Sequence, residues 1–339
     1  MKKPTTIKDI AKKLNLSIST ISRGLKAHPS IGVATQKKIK KTAQEMDYEP
    51  NQTAVFFQKG KTYTIGVILP ELSEAFFSSA LSAIEDIAYR RNYAIFLAQS
   101  HDDEQREKQL VEKMKNYRVD GLIISVAKNT SDFSHFNLLK KHQIPVVFFD
   151  RIPPLKDIHY VACNIETGST EAVNYLLKRG HRTIGLINGP STLIASGQRK
   201  EGYIKSLQKN RLKFDPTLIV NCDLSEESTK LAVETLLNHK RKPTAIVTFN
   251  DYISAFAIKA TKDFGPKNQI IEFVSYANSP MLNIMESPPI ASVEQFPMVQ
   301  GQKAIDTLLD IINTPIIEEN IPYYKIIIDS QLIESNAEK

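Results

Sequence analysis

The sequence predicts an α/β protein in two parts: an N-terminal three-helix helix-turn-helix domain, then a larger part made of two doubly wound α/β subdomains. Three observations carry that prediction. Positive charge is concentrated at one end: residues 1–61 hold 13 of the 44 Lys and Arg but only 4 of the 37 Asp and Glu. Short, capped runs of helical periodicity fill the first 48 residues. From Tyr63 onward, short β-branched runs alternate with amphipathic stretches, the pattern of βαβ units and a parallel sheet covered on both faces.

Thr6-Ile7-Lys8-Asp9 reads as a helix start, with Thr6 as cap and Asp9 near the positive helix end. Ile7, Ile10, Ala11 and Leu14 repeat at helical spacing and form one apolar face. Asn15 ends this helix, because Asn tolerates the left-handed conformation of a tight turn. Leu16 plugs the core, and Ser17 caps a second helix from Ile18 to about Leu25 with Ile21 and Leu25 inward. Two short helices so joined form a helix-turn-helix, whose second helix presents N-terminal side chains to base edges in the major groove. A third helix, Val33 to Asp47, turns Ile39 and Ala43 inward and Lys37, Lys38, Lys40 and Lys41 outward. Tyr48-Glu49-Pro50-Asn51 stops it, since the residue before proline is pushed out of the helical region.

In the larger part the first strand set is Thr64–Leu69, Tyr93–Ala98, Gly121–Val126 and Pro145–Phe149, with helices near 76–91, 103–116 and 131–142. A second set follows: Tyr160–Asn164, Thr183–Asn188, Leu218–Cys222, Ala245–Phe249 and Ile270–Tyr276. A late strand Ala291–Phe296 leads into a helix at about 298–313 and a strand Tyr324–Asp329. Ligands of open parallel sheets bind beyond the carboxyl ends of the strands, so two facing sheets make a cleft there.

Composition narrows the function. No apolar run approaches the 18 or so residues of a membrane span, and the basic N-terminus lacks an apolar signal region. Cys163 and Cys222 lie in strand-like runs without C-x-x-C spacing and read as buried free thiols. The expectation is a cytoplasmic protein. No dinucleotide fingerprint, P-loop or G-x-S-x-G elbow occurs, and the histidines have no metal spacing. No enzyme activity, cofactor or metal is expected.

The run T-I-K-D-I-A-K-K-L-N-L-S-I-S-T-I-S-R-G-L-K, then Y-E-P-N, then the strand T-I-G-V-I-L-P, resembles the lactose-repressor (LacI/GalR) family of bacterial regulators. The resemblance implies a DNA-binding domain at 1–49, a hinge at 50–61 and an effector-binding and dimerisation domain at 62–339. That last domain has the periplasmic-binding-protein-like fold, with subdomains of about 62–161 plus 291–322 and 162–290 plus 323–339. The chain is expected to cross between them near 161, 290 and 322. The implied DNA-contacting residues are Thr6, Ser17, Ile18, Ser19, Thr20, Ser22, Arg23, Asn51 and Phe57. Of these Ile18, Ser19 and Arg23 read bases, Arg23 by bidentate pairing with guanine. Phe57 stands at the position of the family's minor-groove leucine, and apolar wedges there include Phe as well as Leu.

The implied effector-binding residues are Phe76, Phe77, Ser125, Asp150, Arg199, Asn250 and Asn278, with one of the two phenylalanines expected in the core. Ala277 stands where the family usually has a ligand-binding Asp, which points to an altered ligand. The resulting expectation is a homodimeric repressor that binds near-palindromic operator DNA under control of a sugar or sugar derivative. A phosphorylated or acidic metabolite, a partner protein as effector, and a solute-binding protein without gene regulation are the alternatives.

Overall fold

The computed structural model describes residues 5–50, 60–264, 270–314 and 322–335. The chain divides into two compact units, Met1–Thr62 and Tyr63–Lys339.

The first unit contains α1 (Ile7–Leu14), α2 (Ile18–Leu25) and α3 (Val33–Glu45). The Thr6 backbone N–H and hydroxyl both donate to the Asp9 carboxylate, at 2.9 and 2.7 Å. Asn15 takes the left-handed conformation with φ 54°, and the Leu16 N–H returns to the Ala11 carbonyl at 3.0 Å. Ser17 Oγ accepts the Thr20 N–H at 3.1 Å and starts α2. Ile10, Ala11, Ile21, Ile39 and Ala43 form the core, ringed by Ile7, Leu14, Leu16 and Leu25. The expected third helix ends two residues early, at Glu45, because Asp47 turns left-handed with φ 51°.

The second unit holds two six-stranded sheets. The first contains β1 (Thr64–Leu69), β2 (Ala94–Gln99), β3 (Gly121–Ile124), β4 (Val146–Phe149), β5 (His159–Asn164) and β11 (Lys325–Asp329). Their order is β11-β5-β4-β3-β1-β2, all parallel. The second contains β6 (Ile184–Asn188), β7 (Ile219–Asn221), β8 (Ala245–Thr248), β9 (Glu272–Tyr276), β10 (Ala291–Glu294) and β12 (Gln331–Glu334). Their order is β12-β10-β9-β8-β6-β7, parallel except for β12 against β10. The helices α4 (Ala75–Arg90), α5 (Glu104–Asn116), α6 (Phe136–Lys141), α7 (Ile165–Lys178), α8 (Ile194–Lys209), α9 (Glu226–Leu237), α10 (Asp251–Phe264) and α11 (Pro297–Asn313) cover the sheets.

The expected division between subdomains is corrected here. The strands at 159–164 and 325–329, expected in the second half, pair in the first sheet, whereas 291–294 pairs in the second. The crossings therefore fall near 165, 295 and 330, each later than expected. The physical reason is that a strand belongs wholly to one sheet, so the chain crosses beyond its carboxyl end. Alternating hydrophobicity marks a strand without naming its sheet.

The helices α4 and α11 pack against each other where Gly301 meets Ala80. A Cβ on Gly301 would lie 2.3 Å from the Ala80 carbonyl oxygen, which is rigid helix backbone. Gly301→Ala is expected to lower stability by about 1–3 kcal/mol through overpacking, read as a lower urea midpoint. An unchanged midpoint would show that these helices separate without cost.

Candidate functional site

On α2, Ile21 and Gly24 face the core. Ile18 and Ser22, and likewise Ser19 and Arg23, are four residues apart and therefore share a helix face. Ile18 is 47% exposed, Ser19 and Arg23 are exposed, and Ser22 is half-buried. The Ser17 hydroxyl lies 2.8 Å from those of both Ser19 and Thr20, so it organises the first turn as well as capping it. An apolar side chain, hydroxyls and a guanidinium thus stand at the outer start of a short, capped helix. Asn51 and Phe57, with most of the expected hinge, lie outside the described residues.

In the second unit the carboxyl ends of β1, β3 and β4 lead to Glu71–Glu74, Ser125 and Asp150-Arg151. Those of β6, β8 and β9 lead to Thr192, Asn250 and Asn278. Arg199 projects from α8 and is 3% exposed. Its guanidinium carbon sits 4.0 Å from the centre of the Phe249 ring and 4.4 Å from that of Tyr276. Stacking covers the faces of the cation and leaves its edge for hydrogen bonds. Arg199 Nε is buried without a hydrogen-bond partner, and Nη1 makes only a 3.3 Å contact with the Ala195 carbonyl. Burial lowers its pKa, opposed by the charges of Tyr276 and Asp150.

Asp150 follows β4 in the left-handed conformation, with φ 59°. Burial raises its pKa to about 6, against the pull of Arg151 and Arg199. The Glu74 carboxyl is raised as well, first by burial, with Arg151 opposing and Asp102, Asp150 and Glu71 reinforcing. A carboxylate-rich wall on the first sheet thus faces a single buried guanidinium on the second.

Comparison with known proteins places this arrangement. A family model described as "Periplasmic binding proteins and sugar binding domain of LacI family" matches residues 62–333. One described as "Bacterial regulatory proteins, lacI family" matches residues 6–51. The chain belongs to the LacI family. It is a DNA-binding transcriptional regulator of that family. Catabolite control protein A of Priestia megaterium is 31% identical, over 93% of this chain and 95% of the relative. The repressor CytR of Escherichia coli (strain K12) is 27% identical, over 90% and 89%. In fold, the lac repressor dimer bound to operator and the anti-inducer ONPF superposes with a TM-score of 0.79 at 23% identity, covering 98% of both chains. The CelR–cellobiose complex gives 0.73 at 22% identity, covering 97% and 98%.

The LacI-type cleft accounts differently for each expected residue. Phe77 is the one of the two phenylalanines that lies in the core: it is 1% exposed and packs edge-on against Phe149, so it supports the wall. Phe76 is half-buried against it, at 5.3 Å. Ser125 is fully buried with its hydroxyl unpartnered. The Asn250 side-chain oxygen caps α10, accepting the Ile253 N–H at 2.9 Å. Asn278 Nδ2 donates to Glu294 at 3.0 Å, and its backbone N–H donates to Ser292 Oγ at 2.9 Å.

Around that turn Asp251 accepts from the Ser275 hydroxyl, from the Ser279 N–H at 2.6 Å and from the Ser292 hydroxyl at 2.9 Å. Ala277 and Asn278 are held with φ 94° and 47°. Sequence reasoning missed Phe249 and Tyr276 as partners of Arg199, and Glu74 beside Asp150. Local pattern carries no signal for such long-range side-chain stacking.

The Asp150 shift predicts a pH dependence. Its folded-state pKa of about 6 lies above the ordinary carboxyl value of 3.8, so its contribution to stability is full below pH ~4 and is lost as pH rises through ~6. Asp150→Asn should therefore be more stable than the parent at pH 7, with the difference shrinking towards pH 4. Urea midpoints across that range test this, and a pH-independent difference would count against the shift.

Proposed function

We propose that this chain represses transcription as a homodimer on near-palindromic operator DNA, acting in the cytoplasm without catalysis. In this reading residues 1–49 bind DNA, 50–61 form a hinge and 62–339 sense a neutral sugar or sugar derivative. The observation that carries it is the exposed face of α2. Ile18, Ser19, Ser22 and Arg23 form a compact surface in the part of the chain that holds the excess positive charge. Relatives named as repressors, PurR and CytR, support the direction of regulation. The lac repressor dimer on its operator supports two half-sites read by two copies.

The cleft chemistry favours a neutral ligand. A hydroxyl can accept from the Arg199 edge and donate to the Asp150 carboxylate at once. The carboxylates of Glu74 and Asp150 repel a phosphate or carboxylate ligand. The CelR complex with cellobiose is consistent with a sugar in such a cleft.

Two measurements test the reading. On a duplex selected from random DNA by the full chain, Arg23→Ala should weaken binding by about 1–3 kcal/mol and leave binding to random duplex nearly unchanged. Equal loss on both would overturn specific readout by Arg23. In a thermal-shift panel of neutral mono- and disaccharides against their phosphates, at least one neutral sugar should raise the melting point. At 100 times its Kd it should add about 2.7 kcal/mol. A response to phosphates alone, or to none of the panel, would overturn the sugar assignment.

A further inference from the structure

We infer that Lys128 is a positioning residue that clasps the two walls of the cleft together and sets their closure. This rests on reading the cleft as the effector site, but the clasp itself is visible without any ligand. Lys128 follows β3 on the first wall, and both of its ends are held by the second. Its ammonium donates to the Asp223 carbonyl, beyond β7, at 3.1 Å. Its own carbonyl accepts the Thr192 hydroxyl, beyond β6, at 2.6 Å. A second link crosses elsewhere along the cleft, where the Tyr252 hydroxyl donates to the Ser73 carbonyl at 3.2 Å.

The first-wall side of the clasp is rigid. Glu107, fully buried on α5, accepts the Ala127 N–H at 2.6 Å and the Thr130 hydroxyl at 3.0 Å. His135 Nε2 lies 3.0 Å from the same carboxylate. The loop 127–130 is therefore tied down on both sides of Lys128, and a displaced Lys128 cannot follow the second wall outward. Opening the cleft must break its two cross-wall bonds.

The clasp is also joined to the ligand-facing residues. Asp102 accepts the Lys128 N–H at 2.9 Å, and it accepts from the Arg151 guanidinium as well. The Lys128 ammonium lies 3.8 Å from the same carboxylate. Arg151 adjoins Asp150 in the chain and stands 5.4 Å over the Phe77 ring. One carboxylate thus connects the clasp to the segment that meets the effector, so closure and occupancy bias the same two-state element.

The test uses the full chain without effector. Donor and acceptor dyes are placed at exposed sites by Glu112→Cys on the first subdomain and Asn238→Cys on the second, and labelled chains are diluted in unlabelled ones. Cys163 and Cys222 are buried and stay unlabelled. Lys128→Met should shift the ratio of open to closed molecules about tenfold towards open, the scale of one charge-assisted hydrogen bond. Lys128→Arg should restore the parent distribution, and Thr192→Val should give a smaller shift than Lys128→Met. Melting points should stay close to the parent, because a clasp acts on closure rather than on either core. A parent-like distribution for Lys128→Met, or failure of Lys128→Arg to restore it, overturns the clasp. Neither result bears on sugar binding, which the thermal-shift panel reads separately.

Discussion

Two sheets, parallel but for β12, meet here along their carboxyl edges because the chain passes between them three times at that edge. Two of the crossings are stitched to each other. Ser330 Oγ donates to the Asn164 carbonyl at 3.0 Å, and Asn164 Nδ2 donates to Asp329 at 3.2 Å. Gly168 makes room for this, since a Cβ there would lie 2.6 Å from Ser330 Oγ. The third crossing turns at Phe296, left-handed with φ 53° and held by Glu294 at 2.7 Å. The crossings tether the two subdomains at this edge, and loops beyond the other strands meet across it.

The two walls hold charges that are incompletely satisfied. Burying a guanidinium away from a direct carboxylate partner is costly, and the two aromatic rings against Arg199 recover part of that cost. Asp150 sits opposite with its pKa raised by the same desolvation. A ligand that hydrogen-bonded to both groups would relieve both. A small molecule shifts a conformational equilibrium by the difference in its binding free energy to the two forms.

The DNA-reading unit works under another constraint. Its core is five buried side chains ringed by partly buried ones, and it depends on local signals for its shape. The Thr6–Asp9 capping box, the left-handed Asn15 and the Ser17 cap each fix one end of a helix. They leave the outer face of α2 free of structural duties apart from the hydroxyl cluster at its start.

That contrast explains what could be read in advance. Helix caps, helical spacing and the charge concentrated in the first 61 residues are local properties. The sequence by itself therefore determined the three-helix unit, the outward face of Arg23, and nearly every strand and helix of the second unit. It also marked Arg199 and Asp150 as cleft residues, through resemblance and through their place after strands. The tertiary structure alone decided which sheet claims β5, β10 and β11, because strand pairing joins residues as far apart as Tyr160 and Lys325. It alone chose Phe77 rather than Phe76 for the core, set Phe249 and Tyr276 on the faces of Arg199, and brought Lys128 to Thr192 and Asp223. Each of those outcomes rests on contacts between residues distant in sequence, and local periodicity does not encode which distant partner a side chain will meet.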